Sequence, residues 1–252
     1  MPLPDMVSAL TPGQWVLCLT AVLLSGVLRG FSGFGFALAA TPLLGSIMPP
    51  AKAVPIVLLL QIGTSFVSAR ATLAEAEYRS ALPIGLGAMV AAPLGSWMLA
   101  WVSDGAARML AASLTLFSVA VLAAGIRFLR RPGIVMSLGS GLAAGLFGGL
   151  CAMPGPPVIL YYLASPVEPA QARASMILIF LATSLAACAG AAAAGLVSIT
   201  TMVIVLASAP MMVAGTWVGG QLFLRHSGSH YRRASMAALV LVAIIAFWRA
   251  FH

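Results

Sequence analysis

Arg29–Phe34 reads RGFSGF and Leu146–Pro157 reads LFGGLCAMPGPP, and each of these stretches interrupts an otherwise apolar segment. Glycine and proline disfavour helix interiors, so both stretches predict a break in a helix. A break inside a bilayer frees backbone groups that need partners, and it is tolerated only where it is buried in protein or lines a cavity. Two breaks at corresponding places in the halves of one chain therefore indicate a binding site.

The composition assigns the chain to the all-α, polytopic membrane proteins. Hydrophobic residues make up 62% of its 252 residues and charged residues only 7%, whereas soluble domains carry about 25% charged residues. The apolar runs are long, and the alternating pattern of a β-barrel is missing. The net charge of +8 is explained by basic loops retained in the cytoplasm, so no nucleic-acid partner is expected.

The apolar runs divide into two halves, and we expect repeat 1 at residues 13–128, a basic cytoplasmic linker at 129–133 and repeat 2 at 134–250. Each repeat is expected to hold a broken-helix hairpin followed by three transmembrane helices. The hairpins are expected at 14–48 and 134–164, and the full spans at 52–69, 81–102, 108–128, 172–195, 198–224 and 231–250. The arms 14–28, 34–48 and 157–164 are shorter than the about 20 residues that cross a bilayer core, so the hairpin tips are expected near mid-membrane.

Matching residues support the repeat. Gly26, Gly30, Gly33 and Pro42 align with Gly141, Gly145, Gly148 and Pro157 at an offset of 115 positions. After a four-residue insertion, Thr64-Ser65 aligns with Thr183-Ser184 at an offset of 119, and Gly95 with Gly215 at 120.

The basic residues predict the topology. If each broken segment returns to its own side, nine arginines share one face and three basic residues share the other. If each broken segment crosses once, the same twelve residues divide six and six. The positive-inside rule favours the hairpins, with the two repeats inverted and both termini on the periplasmic or extracellular side of a bacterial-type inner membrane.

Arg29 is the most isolated charge in the chain. An arginine at the centre of a membrane is costly, and its planar fork suits a bidentate oxyanion such as a sulfonate, a sulfite or a carboxylate. The alternative is a structural role, in which the guanidinium bonds carbonyls of the break or snorkels to the interface. Its partner in the aligned repeat is Ala144, which favours a special role.

The substrate site is expected around the two tips, where helix N-termini attract anions and glycines let the backbone approach a ligand. Close helix packing is the alternative for the glycines, and bonding to the residue's own helix is the alternative for Ser and Thr. The candidate substrate-binding residues are Arg29, Ser32, Gly33, Phe34, Gly35, Gln61, Thr64, Ser65, Gly148, Gly149, Gly155, Thr183 and Ser184. For Gly26, Gly30, Gly141 and Gly145, packing is the favoured interpretation.

The apolar segments lack the residues that several kinds of chemistry require. The acidic residues lie in tails or loops, the three histidines are peripheral, and neither hydrolase nor nucleotide-binding motifs occur. We therefore expect no enzyme activity, no cofactor, no metal site and little proton coupling. The three cysteines are odd in number and lie in apolar runs, which indicates inert thiols.

Leu28–Leu44 (LRGFSGFGFALAATPLL) and Gly141–Leu163 (GLAAGLFGGLCAMPGPPVILYYL) resemble the TauE/SafE family of membrane anion exporters. The order of glycine-rich break, short helix, proline-containing loop and polar span occurs twice, and the likeness covers about residues 14–250. The resemblance implies a permease for sulfite, sulfonates or related small organic anions. The proline-rich second break departs from a plain glycine cluster, and proline removes two of the N–H groups that would bind substrate there.

The sequence therefore predicts a secondary permease or exporter that holds a small anion between two broken-helix tips. An anion channel on the same scaffold and a non-transporting membrane scaffold protein remain as alternatives. A homo-oligomer is compatible with either.

Overall fold

The structure is a computed structural model that describes residues 10–32, 35–124 and 132–225. These residues form α-helices joined by short turns, and none of them is in a β-strand. The helices are α1 (Pro12–Ser32), α2 (Phe36–Gly45), α3 (Pro50–Thr72), α4 (Tyr78–Leu99), α5 (Asp104–Ala124), α6 (Ile134–Cys151), α7 (Gly155–Ala164), α8 (Pro169–Ala193) and α9 (Ile199–Arg225). The expected span 231–250 and most of the linker lie outside the described residues.

Five of the described helices, α1, α4, α6, α8 and α9, are long and apolar enough to cross a membrane. Helix α2 and helix α7 have 10 residues each, or about 15 Å at 1.5 Å per residue. The first hairpin is expected to have two short arms, 14–28 and 34–48, and this is wrong for the first arm. Helix α1 has 21 residues, so only the returning arm is short.

The helix before the first break extends further along the chain than the sequence predicts. Arg29–Ser32, expected to be irregular, is the last turn of α1. Gly30 does not end the helix because it serves as a contact point: a Cβ there would lie 2.0 Å from the Thr216 carbonyl oxygen of α9. A glycine without a neighbouring proline can stay helical when close packing compensates for its intrinsic cost.

The second break is a sharp turn built from Ala152–Pro154. Ala152 takes the left-handed conformation with φ 56°, and the N–H of Met153 donates to the Phe147 carbonyl at 3.1 Å. This pattern closes a helix C-terminus, although glycine usually occupies the left-handed position. Pro156 then lies in the first turn of α7, where its missing N–H costs nothing.

Glycine contacts pair helices from opposite halves of the chain. Helix α6 packs along α4, and α1 packs along α9. A Cβ on Gly95 would meet the Leu146 carbonyl oxygen at 2.3 Å, and a Cβ on Gly215 would meet the Leu23 carbonyl oxygen at 2.3 Å. Such approaches need small residues on both helices, which confirms the packing interpretation of Gly26, Gly30, Gly141 and Gly145.

Two sides of the bundle can be defined from the cavities between the helices. On one side, Arg79, Pro132 before α6 and Ser165 after α7 line the same cavity; we call it the arginine-rich side because the basic residues of the sequence predict nine arginines there. On the other, Gly45 at the end of α2, Pro50 at the start of α3 and Arg108 in α5 line a second cavity; this is the Arg108 side. The two ends of the α6–α7 segment therefore lie on the same side of the bundle.

Candidate functional site

Arg29 is buried in the centre of the bundle, at 7% exposure. Its Nη2 donates to the hydroxyl of Ser65 on α3 at 3.2 Å. A guanidinium carries five N–H donors, and this neutral hydroxyl is its one hydrogen-bond partner within the described part of the chain. The last turn of α1 places the cation at a helix C-terminus, which is its favourable end.

Helix α3 and helix α8 meet next to Arg29 through polar side chains. The Gln61 Nε2 donates to the Ser184 hydroxyl at 2.9 Å. Ser65 and Ser184 are both fully buried, and Gln61 is nearly so. The bond links α3 to the second predicted Thr-Ser pair, and Gln61 lies one turn before Ser65 on α3. Arg29, Gln61, Ser65 and Ser184 are here called the central cluster.

Thr183 completes the contact with the tip of α6. A Cβ on Gly148 would lie 2.6 Å from the Thr183 Cγ2, so this glycine lets α6 approach α8. The hydroxyl of Thr183 donates to the Ile179 carbonyl at 2.7 Å, and that of Thr64 bonds carbonyls of its own helix. Both hydroxyls thus bond within their own helix, which is the alternative to substrate binding for Ser and Thr.

Of the remaining predicted site residues, some are described as glycines in or beside packed helices, and the others lie outside the described residues. Gly149 faces α4, where a Cβ would lie 2.1 Å from the Ala92 carbonyl oxygen, so it serves helix packing. Gly155 meets only its own helix at 3.3 Å, and Gly35 is buried just before α2. Gly33, Phe34 and the side chain of Ser32 lie outside the described residues.

The cavity on the arginine-rich side has a volume of about 430 Å³. Hydroxyls of Ser80, Ser137 and Tyr161 line this cavity. Ser137 bonds Tyr161 at 2.9 Å, and Ser80 bonds Tyr162 at 3.0 Å. Glu77 caps α4 and also bonds Ser80. This hydroxyl network was not predicted, although the Tyr-Tyr pair within an apolar run of the sequence could have indicated it.

The cavity on the Arg108 side is much smaller, at about 20 Å³. Thr41 lines it and is 3% exposed. Its hydroxyl has no hydrogen-bond partner among the described residues. Arg108 donates through Nε to the Gly45 carbonyl at 2.7 Å. Arg108 is one of the three basic residues that the sequence-based topology assigns to the less basic face, and Thr41 was not predicted as a site residue.

Acidic residues stay away from the central cluster. In the described ranges they are Glu75, Glu77, Asp104 and Glu168, each in a turn or at a helix start. No group of residues that could hold a metal ion occurs within those ranges. The central cluster is therefore a buried, cationic and hydroxyl-rich environment, which is suited to an oxyanion.

Comparison with known proteins identifies the family of this chain. The family model described as Sulfite exporter TauE/SafE matches residues 18–246. A probable sulfite/organosulfonate exporter TauE of Cupriavidus necator is 23% identical over 248 residues, which cover 95% of this chain and 91% of that protein. No solved structure matches the chain. With a family match over nearly its whole length and transmembrane helices of the required lengths, the chain belongs to the TauE/SafE sulfite exporter family of multi-pass membrane proteins.

Proposed function

We propose that this chain is a secondary permease that moves a small sulfur-containing or organic anion, such as sulfite or a sulfonate, and that the anion binds at the central cluster. The observation that carries the proposal is Arg29. It is a buried cation whose partner in the described part of the chain is one neutral hydroxyl. A buried charge is costly unless it is paired, and an anionic substrate supplies the counter-charge.

The cluster offers a set of groups matched to an oxyanion. The Arg29 fork can take two oxygens of the substrate, and the Ser65 hydroxyl, already within hydrogen-bond distance of the guanidinium, can orient a third. The Gln61–Ser184 bond joins the two halves at this point. Binding here can therefore be sensed by both α3 and α8.

The unequal cavities favour a carrier over a channel. The cavity on the arginine-rich side has a volume of about 430 Å³ and that on the Arg108 side about 20 Å³, and no residue of the central cluster lines either of them. A carrier exposes its site to one side at a time, whereas an open channel needs a continuous path. We propose that the arginine-rich side is cytoplasmic and that both termini lie on the opposite side, as the positive-inside rule indicates.

The contacts support two inverted repeats, each a hairpin with three further helices, but in a register different from the glycine alignment. Gly215 meets Leu23 and Val27, and Gly95 meets Leu146 and Leu150. These pairs relate α1 to α6 by 123 positions instead of 115. In this register Arg29 corresponds to Ala152, the left-handed residue of the second break, so the two tips differ in both charge and backbone.

The test of this proposal is sulfite flux in proteoliposomes holding the full-length chain. Arg29→Gln should lower the flux about tenfold or more, because truncating a buried charge pair costs several kcal/mol. Arg29→Lys keeps the charge at the helix end but loses the fork, and it should be intermediate. Lys52→Gln removes an exposed cation and is the matched control.

Three outcomes distinguish the alternatives. Wild-type flux in Arg29→Gln would refute the central anion site. Single-channel currents in place of saturable counterflow would identify a channel. Absence of flux for sulfite, sulfonates, thiosulfate and simple carboxylates, together with no thermal stabilisation by any of them at high excess, would support a scaffold.

A further inference from the structure

The Thr41 hydroxyl is a buried polar group that nothing in the described structure satisfies. It is 3% exposed and has no hydrogen-bond partner within those ranges. Most threonines in these helices bond a carbonyl one turn back, as Thr115 and Thr183 do. An unsatisfied buried hydroxyl costs free energy, so it calls for an explanation such as a ligand or a water.

The same cavity holds a cation. Arg108 uses its Nε for the Gly45 carbonyl, which fixes the plane of the guanidinium against the end of α2. The rest of the fork has no hydrogen-bond partner among the described residues. Asp104 lies one turn away on α5, yet the guanidinium bonds Gly45 and not this carboxylate.

The wall between this cavity and the central cluster is the last turn of α6. Gly148 faces Thr183 beside the central cluster, whereas Leu150 and Cys151 face the cavity. The end of α6 therefore lies between Thr183 and the cavity. This turn ends in Ala152, whose φ of 56° is a strained conformation for a residue with a side chain.

From these observations we infer that Thr41 and Arg108 form a second anion site, on the Arg108 side of the α6 tip. The inference rests on the proposed transport function. The site takes the same small oxyanion after it leaves Arg29: the Thr41 hydroxyl donates to one oxygen and the Arg108 fork binds another. The volume of about 20 Å³ holds about one water, so the anion enters when the α6 tip moves away from Thr41.

The test measures sulfite flux from each face separately, in right-side-out and inside-out membrane vesicles. Thr41→Val removes the hydroxyl with little change in volume. It should raise the half-saturating sulfite concentration about tenfold from the Arg108 side, the effect expected for losing a hydrogen bond to a charged group. From the arginine-rich side, the value should stay within about twofold of wild type.

Three further variants keep the inference falsifiable. Thr41→Ser retains the hydroxyl and should restore the wild-type value, which separates the hydroxyl from its methyl group. Arg108→Gln should reproduce the one-sided loss of affinity. Ser208→Ala removes another fully buried hydroxyl, which lies beside Cys18 and outside this cavity, and should leave both faces unchanged.

The outcomes separate this inference from the proposed function. Absence of sulfite flux in the wild-type chain would refute the proposed function itself. Intact wild-type flux with unchanged or equally changed affinity on both faces in Thr41→Val would overturn the second site alone. Lower thermal stability of Thr41→Val with unchanged affinity would identify an ordered water only, which also overturns it.

Discussion

Replacing Gly145 by alanine probes the contact between α6 and α4 most directly. A Cβ at this position would lie 2.3 Å from the Ala88 carbonyl oxygen and 2.9 Å from the Ala91 Cβ. Ordinary contacts begin near 3.4 Å, so the helices must separate by roughly 1 Å or distort. Overpacking of this kind costs about 1–3 kcal/mol.

Gly139 is the matched control because it lies in the same helix with nothing within 4 Å of its Cβ position. Alanine improves helix propensity by about 0.5–1 kcal/mol at both sites. This gain cancels in the comparison. The difference in unfolding free energy between Gly145→Ala and Gly139→Ala should therefore equal the packing term, about 1–3 kcal/mol.

The assay is unfolding of the purified chain in detergent, followed by circular dichroism at equal detergent concentration. Gly139→Ala should be as stable as wild type or slightly more stable, and Gly145→Ala should be clearly less stable. Equal stability of the two variants would mean that α6 does not approach α4 through Gly145, and the glycine-mediated pairing would be refuted.

Three further outcomes are expected. Ala152→Gly relieves the left-handed strain and should raise stability by up to about 1 kcal/mol, measured by thermal unfolding in detergent; a clear loss would contradict the observed turn. A double-mutant cycle of Gln61→Ala and Ser184→Ala should give a coupling energy of about 0.6–1.7 kcal/mol, and a value of zero would separate α3 from α8. Gly195→Ala should lower the unfolding free energy by about 1 kcal/mol, because Gly195 has φ +72° and alanine disfavours this conformation. An unchanged melting temperature would contradict the left-handed conformation of Gly195.

The positions of most helices could be predicted from the sequence because hydrophobicity and length decide which segments cross a membrane. It also placed Arg29, Gln61 and the Thr-Ser pairs in one interior region, since polar residues in apolar runs face the interior of a bundle. In the structure Arg29 bonds Ser65 and Gln61 bonds Ser184, whereas Thr64 and Thr183 bond their own helices. Their role in binding stays a prediction.

The breaks and the repeat register were harder to predict because glycine has two roles. Gly30 and Gly149 look like helix breakers in the sequence, but each meets a carbonyl oxygen of a neighbouring helix. Which role applies depends on a partner that is distant in sequence. The glycine spacing alone favours an offset of 115 positions, whereas the contacts of Gly95 and Gly215 relate α1 to α6 at 123. The inverted repeat itself stays a prediction.

The unpaired hydroxyl of Thr41 and the left-handed backbone of Ala152 could not be predicted, for a different reason. A threonine in an apolar helix normally bonds its own backbone, and an alanine normally fits any helix. Only the coordinates show that the first has no partner among the described residues and that the second is left-handed. Such departures from local preference are expected at strained or functional positions.

The pairing of α1 with α9 has a consequence for how the protein is made. Gly26 and Gly215 touch, yet 189 residues of chain separate their synthesis. At about 5–20 residues per second, α1 waits roughly 10–40 s in the membrane for its partner. The α4–α6 pair, joined at Ile84 and Gly141, waits only about 3–11 s. During biogenesis we therefore expect α6 of the second hairpin to pack against α4 before α1 of the first hairpin packs against α9. Arg29, at the end of α1, would then be the last residue of the central cluster to become buried.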